Sequence, residues 1–189
     1  HFHASFVEVG DHRLFVFDVR GVGAVQSRLV TAHAPPHDHE YKLGCDAMML
    51  KRSTLGLRVF DLLRGYDYLR SRADVDQIGL VGVGSGAIFG YFAAALEAGF
   101  ADLTFAQLLF SYQDLTRTRF YDRQRYNLKV MAWGILQHFD LVDLLPCLAP
   151  RSCTFIDLCD AQGAPQPPAA LLQVATTHGY LPAGWLPTF

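Results

Sequence analysis

The sequence predicts an α/β fold: a three-layer α/β/α domain built around a mostly parallel sheet. Three observations carry the expectation. Apolar runs at 13–19, 78–81, 103–110 and 153–158 alternate with helix-patterned stretches, as strands and crossovers do in a sheet covered on both faces. The stretch 77–99, QIGLVGVGSGAIFGYFAAALEAG, passes from apolar run to Ala-rich run through Gly82, Gly84 and Gly86, which marks a parallel strand-to-helix crossing. The chain has 189 residues, 51% of them hydrophobic, which suffices for one domain with a sizeable core. No linker or repeat divides it, so 1–189 reads as a single domain.

Each element has its local reason. RLFVFDV at 13–19 is an apolar strand after the turn Gly10-Asp11, and Arg20-Gly21-Val22-Gly23 is a tight loop. Residues 24–54 contain Pro35-Pro36 and HDHE, and read as a surface loop. Over 55–72, Leu55, Val59, Leu62, Leu63, Tyr66 and Leu69 recur at spacings of three and four, with Arg58, Asp61, Arg64, Asp67 and Arg70 off that stripe: an amphipathic helix. A turn at 73–76 enters the strand 78–81, and 87–98 is the Ala-rich helix. Residues 103–110 form a strand and 112–127 a polar, Arg-rich segment. Short helices follow at 130–139 and 141–148, then the strand CTFIDL at 153–158 and its exit loop at Asp160. The Pro-containing tail has little pattern. Phe89, Tyr91 and Phe92 read as core packing.

Charge and composition exclude several classes. A net charge of −2 gives no electrostatic case for nucleic acid. Apolar runs stop short of the ~18 residues a membrane span needs. The first residues, HFHASFVEVGDHR, lack the basic region and apolar core of a signal peptide. Cys45, Cys147, Cys153 and Cys159 form no C-x-x-C pair; buried free thiols are expected, with disulfides the alternative. No cofactor is implied. His33, His37, Asp38, His39 and Glu40 are ligand types for zinc, but no Cys set or H-E-x-x-H helix accompanies them, so a solvated loop is expected and no metal.

Two kinds of site use a glycine turn like that at 82–86. One is the strained elbow G-x-S-x-G, which holds a nucleophile between small residues. The other is the phosphate turn G-x-G-x-x-G/A, here Gly82-x-Gly84-x-x-Ala87, with a ribose-binding acid ~20 residues on. Asp102 has the distance, but it precedes its strand rather than ending it.

Six segments carry a resemblance: VFDVRGVG at 16–23, LGLRVFDLLRGYDYLRSRADVD at 55–76, IGLVGVGSGA at 78–87, SYQDL at 111–115, FDLVDLLPCLAPR at 139–151 and DLCDAQG at 157–163. In this order and spacing the chain resembles the acetyl xylan esterase and dienelactone hydrolase side of the α/β-hydrolase superfamily. The resemblance implies that fold and a Ser-Asp-His esterase lineage, with a small-molecule or carbohydrate ester as substrate. It makes Asp160 the triad acid. Ser85 would be the nucleophile, His178 the general base, and the Gly86 amide one oxyanion donor.

The chain departs from the family in three places. Motif register puts Gly84, not serine, in the nucleophile slot; Ser85 lies one residue later. Only about a dozen residues precede RLFVFDV, so the sheet is expected to lack the family's N-terminal strands and one oxyanion amide; a completing chain or self-association is the implied partner. His178 is the only histidine after Asp160 and follows it closely. Three functions compete: a carboxylic-ester hydrolase, a catalytically impaired hydrolase-like binding or scaffold domain, and a Rossmann-like nucleotide-binding domain.

Overall fold

A computed structural model describes residues 4–26, 39–177, 179, 181 and 183–188. The chain is mixed α/β. A three-stranded parallel sheet in the order β3-β4-β5 is formed by β3 (Leu80–Val83), β4 (Asp102–Ala106) and β5 (Ser152–Ile156). Its register aligns Val83 with Ala106 and Ala106 with Ile156. Thr188 pairs with the outer edge of β5, and its amide donates to the Cys153 carbonyl at 2.8 Å. No helix among the described residues is long and apolar enough to cross a membrane.

The helix α3 (Ser85–Leu96) packs on one face of this sheet because the sequence leaves room for it. A Cβ on Gly82 would lie 2.7 Å from the Ala87 Cα and from the Gly86 carbonyl oxygen, so only glycine lets β3 pass this close to the helix start. On that face Leu103, Phe105, Cys153 and Phe155 are buried, together with Ile88, Tyr91 and Ala94 of α3. Tyr91 meets Phe105 edge-on at 5.4 Å between ring centres. Arg151 closes the far end: its guanidinium donates to the carbonyls of Ala94 (2.8 Å) and Glu97 (3.0 Å) at the end of α3, and to that of Cys147 (2.6 Å).

The opposite face differs from expectation. Val81 and Val83 are 66% and 59% exposed and Ile156 is 45% exposed, so the described residues supply no third layer over it. The first strand also differs. RLFVFDV does not join the parallel sheet; β2 (His12–Phe17) pairs antiparallel with β1 (Ala4–Val9) as a separate hairpin. Alternation sends Phe15 and Phe17 inward onto α2 (Thr54–Arg70), where the Phe15 ring lies tilted against Tyr68 with 5.7 Å between ring centres and the bare Gly65 leaves space for the Phe17 ring.

The helix α2 matches its periodicity, with one correction. Arg58 and Asp61, off the apolar stripe, are 0% and 3% exposed rather than solvated. Partners explain their burial. Arg58 donates to Glu40 Oε1 at 2.6 Å and to the Arg20 carbonyl, and lies over the Phe89 ring. Asp61 takes a two-pronged Arg20 and the Arg20 amide. Glu40 belongs to α1 (His39–Met49), a helix where a surface loop was expected. Its determinants are distant: Gly44 lets Leu128 pack against it, and Glu40 finds its cation on α2.

Other boundaries moved. The strand expected at 78–81 runs two residues later, because its ladder follows β4 as far as Ala106. The strand expected at 103–110 ends at Ala106, and that expected at 153–158 ends at Ile156. At 130–139 only Ile135–Gln137 makes a 3₁₀ turn, whereas Leu141–Leu148 is a 3₁₀ helix capped by Asp140. The polar segment contains the short α4 (Tyr112–Arg117), and the tail contains α5 (Pro168–Thr177).

Candidate functional site

The bend between β3 and α3 follows the carboxyl end of β3, the edge where open α/β sheets gather their chemistry. Gly84 forms it, with φ 57° and ψ −119°. That combination lies outside the regions L-residues occupy readily, so a side chain here is strained. The amide of Gly84 donates to the Ala106 carbonyl at 2.9 Å, and its own carbonyl accepts from Ala87 at 3.1 Å. A Cβ built on Gly84 meets nothing within 4 Å. The position is therefore strained and open together: a side chain there would stand clear of the fold.

Gly84 is not alone at this edge. The residues after β4 and β5, Gln107 and Asp157, also have positive φ, 55° and 50°. Since Val83, Ala106 and Ile156 are in register, the three left-handed positions follow the ends of three adjacent strands. Two carry side chains, glutamine in a conformation it rarely adopts and aspartate in one it tolerates better, and both are exposed. Gln107 accepts from the Arg125 guanidinium at 3.4 Å. Sequence reasoning did not single out Gln107; nothing in its local pattern distinguishes a strand end with positive φ.

Ser85 is the first residue of α3 and half-buried. Gly84, not Ser85, is the cap residue, and no side chain caps this helix, so the hydroxyl does not serve the helix end. Among the described residues it has no hydrogen-bond partner. The amides of Ser85 and Gly86 belong to the first turn, where no intrahelical acceptor exists. A Cβ on Gly86 would also meet nothing within 4 Å.

Asp160 lies past β5 and is engaged by its own loop. Its Oδ1 accepts from the amides of Gln162 (2.8 Å) and Ala164 (2.9 Å), and its Oδ2 from the Gln166 side-chain amide at 3.2 Å. This is the Asx-turn use of an aspartate. The loop is fastened to α4 by the Ala161 amide, which donates to Asp114 at 2.9 Å. No described histidine hydrogen-bonds Asp160. His178 lies outside the described residues, as do His33, His37 and Asp38. Of the other imagined metal ligands, Glu40 is held by Arg58, and His39 Nε2 stands 3.7 Å from Glu40. Behind the loop, burial raises the Cys159 thiol above its ordinary range while the Arg125 guanidinium opposes the shift. Asp102 opens β4 at the amino edge, on the far side of the sheet from the glycine turn.

The geometry thus brings together Gly82, Gly84, Ser85, Gly86, Gln107 and Asp157 at one sheet edge, with the Asp160 loop beyond them. No family model, curated protein or solved structure matches the chain.

Proposed function

We propose that this chain is an α/β-hydrolase-type domain of carboxylic-ester hydrolase lineage whose elbow has lost its nucleophile, and that it works by binding rather than by turnover. One observation carries the reading. Gly84 has the strained backbone of an elbow, at the carboxyl end of the strand leading into the helix, with open space where an attacking oxygen would project. Glycine there removes the strain and the chemistry together. The engagement of both Asp160 oxygens within their own loop supports the same reading, since no described imidazole is oriented by them.

A second reading keeps the esterase active through Ser85, with Asp160, His178 and the Gly86 amide. The observation in its favour is the uncommitted Ser85 hydroxyl at the helix start. Against it, Ser85 sits inside the first helical turn, one residue past the bend, and so projects in a different direction from a side chain at Gly84. Hydrolysis of p-nitrophenyl acetate by the wild type and by Ser85→Ala separates the two. The binding reading expects equal background rates. The esterase reading requires turnover that the substitution abolishes.

A further inference from the structure

We propose that Asp140 is the positioning residue of the Asp160 loop, which it holds at a distance through the short helix α4. Asp140 is 7% exposed, and its carboxylate sits against the amino ends of two helices. Its Oδ1 accepts from the amides of Leu141 (2.6 Å) and Tyr112 (2.7 Å). Its Oδ2 accepts from the Ser111 hydroxyl and from the Gln113 amide at 3.2 Å. Leu141 opens the 3₁₀ helix; Ser111 caps α4, and Tyr112 and Gln113 begin it. Asp143 Oδ2 in turn accepts from the Asp140 amide at 2.7 Å, which fixes the backbone that carries the carboxylate. All these donors need an acceptor. An ionised carboxylate only accepts, whereas the amide group of asparagine would turn N–H donors of its own towards them.

The helix α4 depends on such attachments. It has six residues, well under the ~12–15 at which a helix begins to persist by itself. Tyr112 and Leu115 are buried, and the Tyr112 hydroxyl donates to the Val130 carbonyl. Apolar burial holds α4 against the core without direction. The bonds to Asp140 are directional and fix where the helix begins.

From α4 the connection runs to the site. Asp114 Oδ2 accepts from the Ala161 amide at 2.9 Å, and the Asp122 amide, past the end of α4, donates to the Ala161 carbonyl at 2.8 Å. Both polar groups of Ala161, the residue after Asp160, are thus held from the α4 side. The root of the loop is held differently. The Cys159 amide donates to the Leu108 carbonyl and the Phe110 amide to the Cys159 carbonyl, both at 2.8 Å, which prolongs the pairing of β4 with β5. Loss of Asp140 should therefore release the part of the loop at Ala161 and leave its root in place. This connection does not depend on any chemistry at Gly84, so its failure and that of the elbow reading are separate events.

The test is amide hydrogen exchange, read residue by residue by NMR on the full chain and on its variants. In Asp140→Asn the amides of Tyr112, Leu141 and Ala161 are expected to exchange about tenfold faster or more, as the bonds to the charged group are lost. The amides of Phe110, in the pairing of β4 with β5, and of Gly84, bonded to Ala106, are expected to keep their wild-type rates. Asp114→Asn breaks the second link alone: Ala161 should accelerate while Tyr112 and Leu141 stay slow. Ser111→Ala removes one donor and the cap of α4, and should accelerate Ala161 several-fold in the same pattern, which keeps the test open if Asp140→Asn does not fold. An Ala161 amide as slow as in the wild type, in Asp140→Asn or in Ser111→Ala, overturns the proposal. Equal acceleration at Ala161, Phe110 and Gly84 also overturns it, because Asp140 would then serve only the stability of the whole domain.

Discussion

The Gly84 amide donates to the Ala106 carbonyl at 2.9 Å, and this bond fixes the bend after β3 against the end of β4. The bend cannot relax without losing the last rung between the two strands. Its positive φ is therefore set by the sheet, and the residue type at 84 decides how much strain the fold holds there. Glycine holds almost none; serine or alanine would hold about 1–3 kcal/mol.

The glycines of the turn should separate by mechanism. Gly84→Ala adds strain without a clash and should lower unfolding stability by about 1–3 kcal/mol. Gly82→Ala drives a methyl group to 2.7 Å from the backbone of α3, which cannot yield as a side chain tip does. It should cost more than Gly84→Ala, at about 3 kcal/mol or above, or prevent folding. Denaturant titration of the two variants checks the order; equal effects would contradict the close packing of β3 on α3.

The pair Arg58–Glu40 should behave as a buried ion pair. Arg58 is fully buried and donates to Glu40 at 2.6 Å. Glu40→Ala leaves the guanidinium without its counter-charge and should destabilise by about 3–5 kcal/mol. The double substitution Arg58→Met with Glu40→Leu removes both charges and should recover most of that loss. A double-mutant cycle measures the coupling. An additive result would mean that the two groups do not meet.

Cys153 should give stability a dependence on alkaline pH. Burial pushes its thiol up to about 12 from 9.0. The raised value means the folded chain keeps a proton that the unfolded chain has released. The contribution to stability is fully present below about pH 9 and is lost as pH rises towards 12, by up to about 1.4 kcal/mol per pH unit. Unfolding curves between these limits for the wild type and Cys153→Ala should diverge in slope, the variant being flatter.

Much of the fold was legible where local pattern and tertiary structure agree. The three-and-four spacing over 55–72 gave α2, and the glycine-to-alanine passage at 82–98 gave the β3-to-α3 crossing at the sheet's carboxyl edge. What escaped was set at a distance. The helix α1 depends on Leu128 and Arg58, which no local pattern over 39–49 announces. Arg58 and Asp61 looked solvated because a charged residue reads as exposed until its partner is known. The strand β2 was recognisable, but its pairing with β1 was not, since alternation fixes which side chains share a face and not which neighbour they find. At the site, the bend between β3 and α3 was readable from the spacing of Gly82, Gly84 and Gly86. The row of positive-φ residues at Gln107 and Asp157 was not, because glutamine rarely adopts that conformation and aspartate, which tolerates it, more often adopts others.

The most direct test of the central claim is labelling with a fluorophosphonate, which reacts with an activated serine hydroxyl, read by mass spectrometry on the intact wild-type chain. A domain whose elbow position is filled by Gly84 should remain unlabelled, and Ser85→Ala should change nothing. Stoichiometric labelling at Ser85, abolished by Ser85→Ala, would contradict the account and restore an acyl-transfer enzyme.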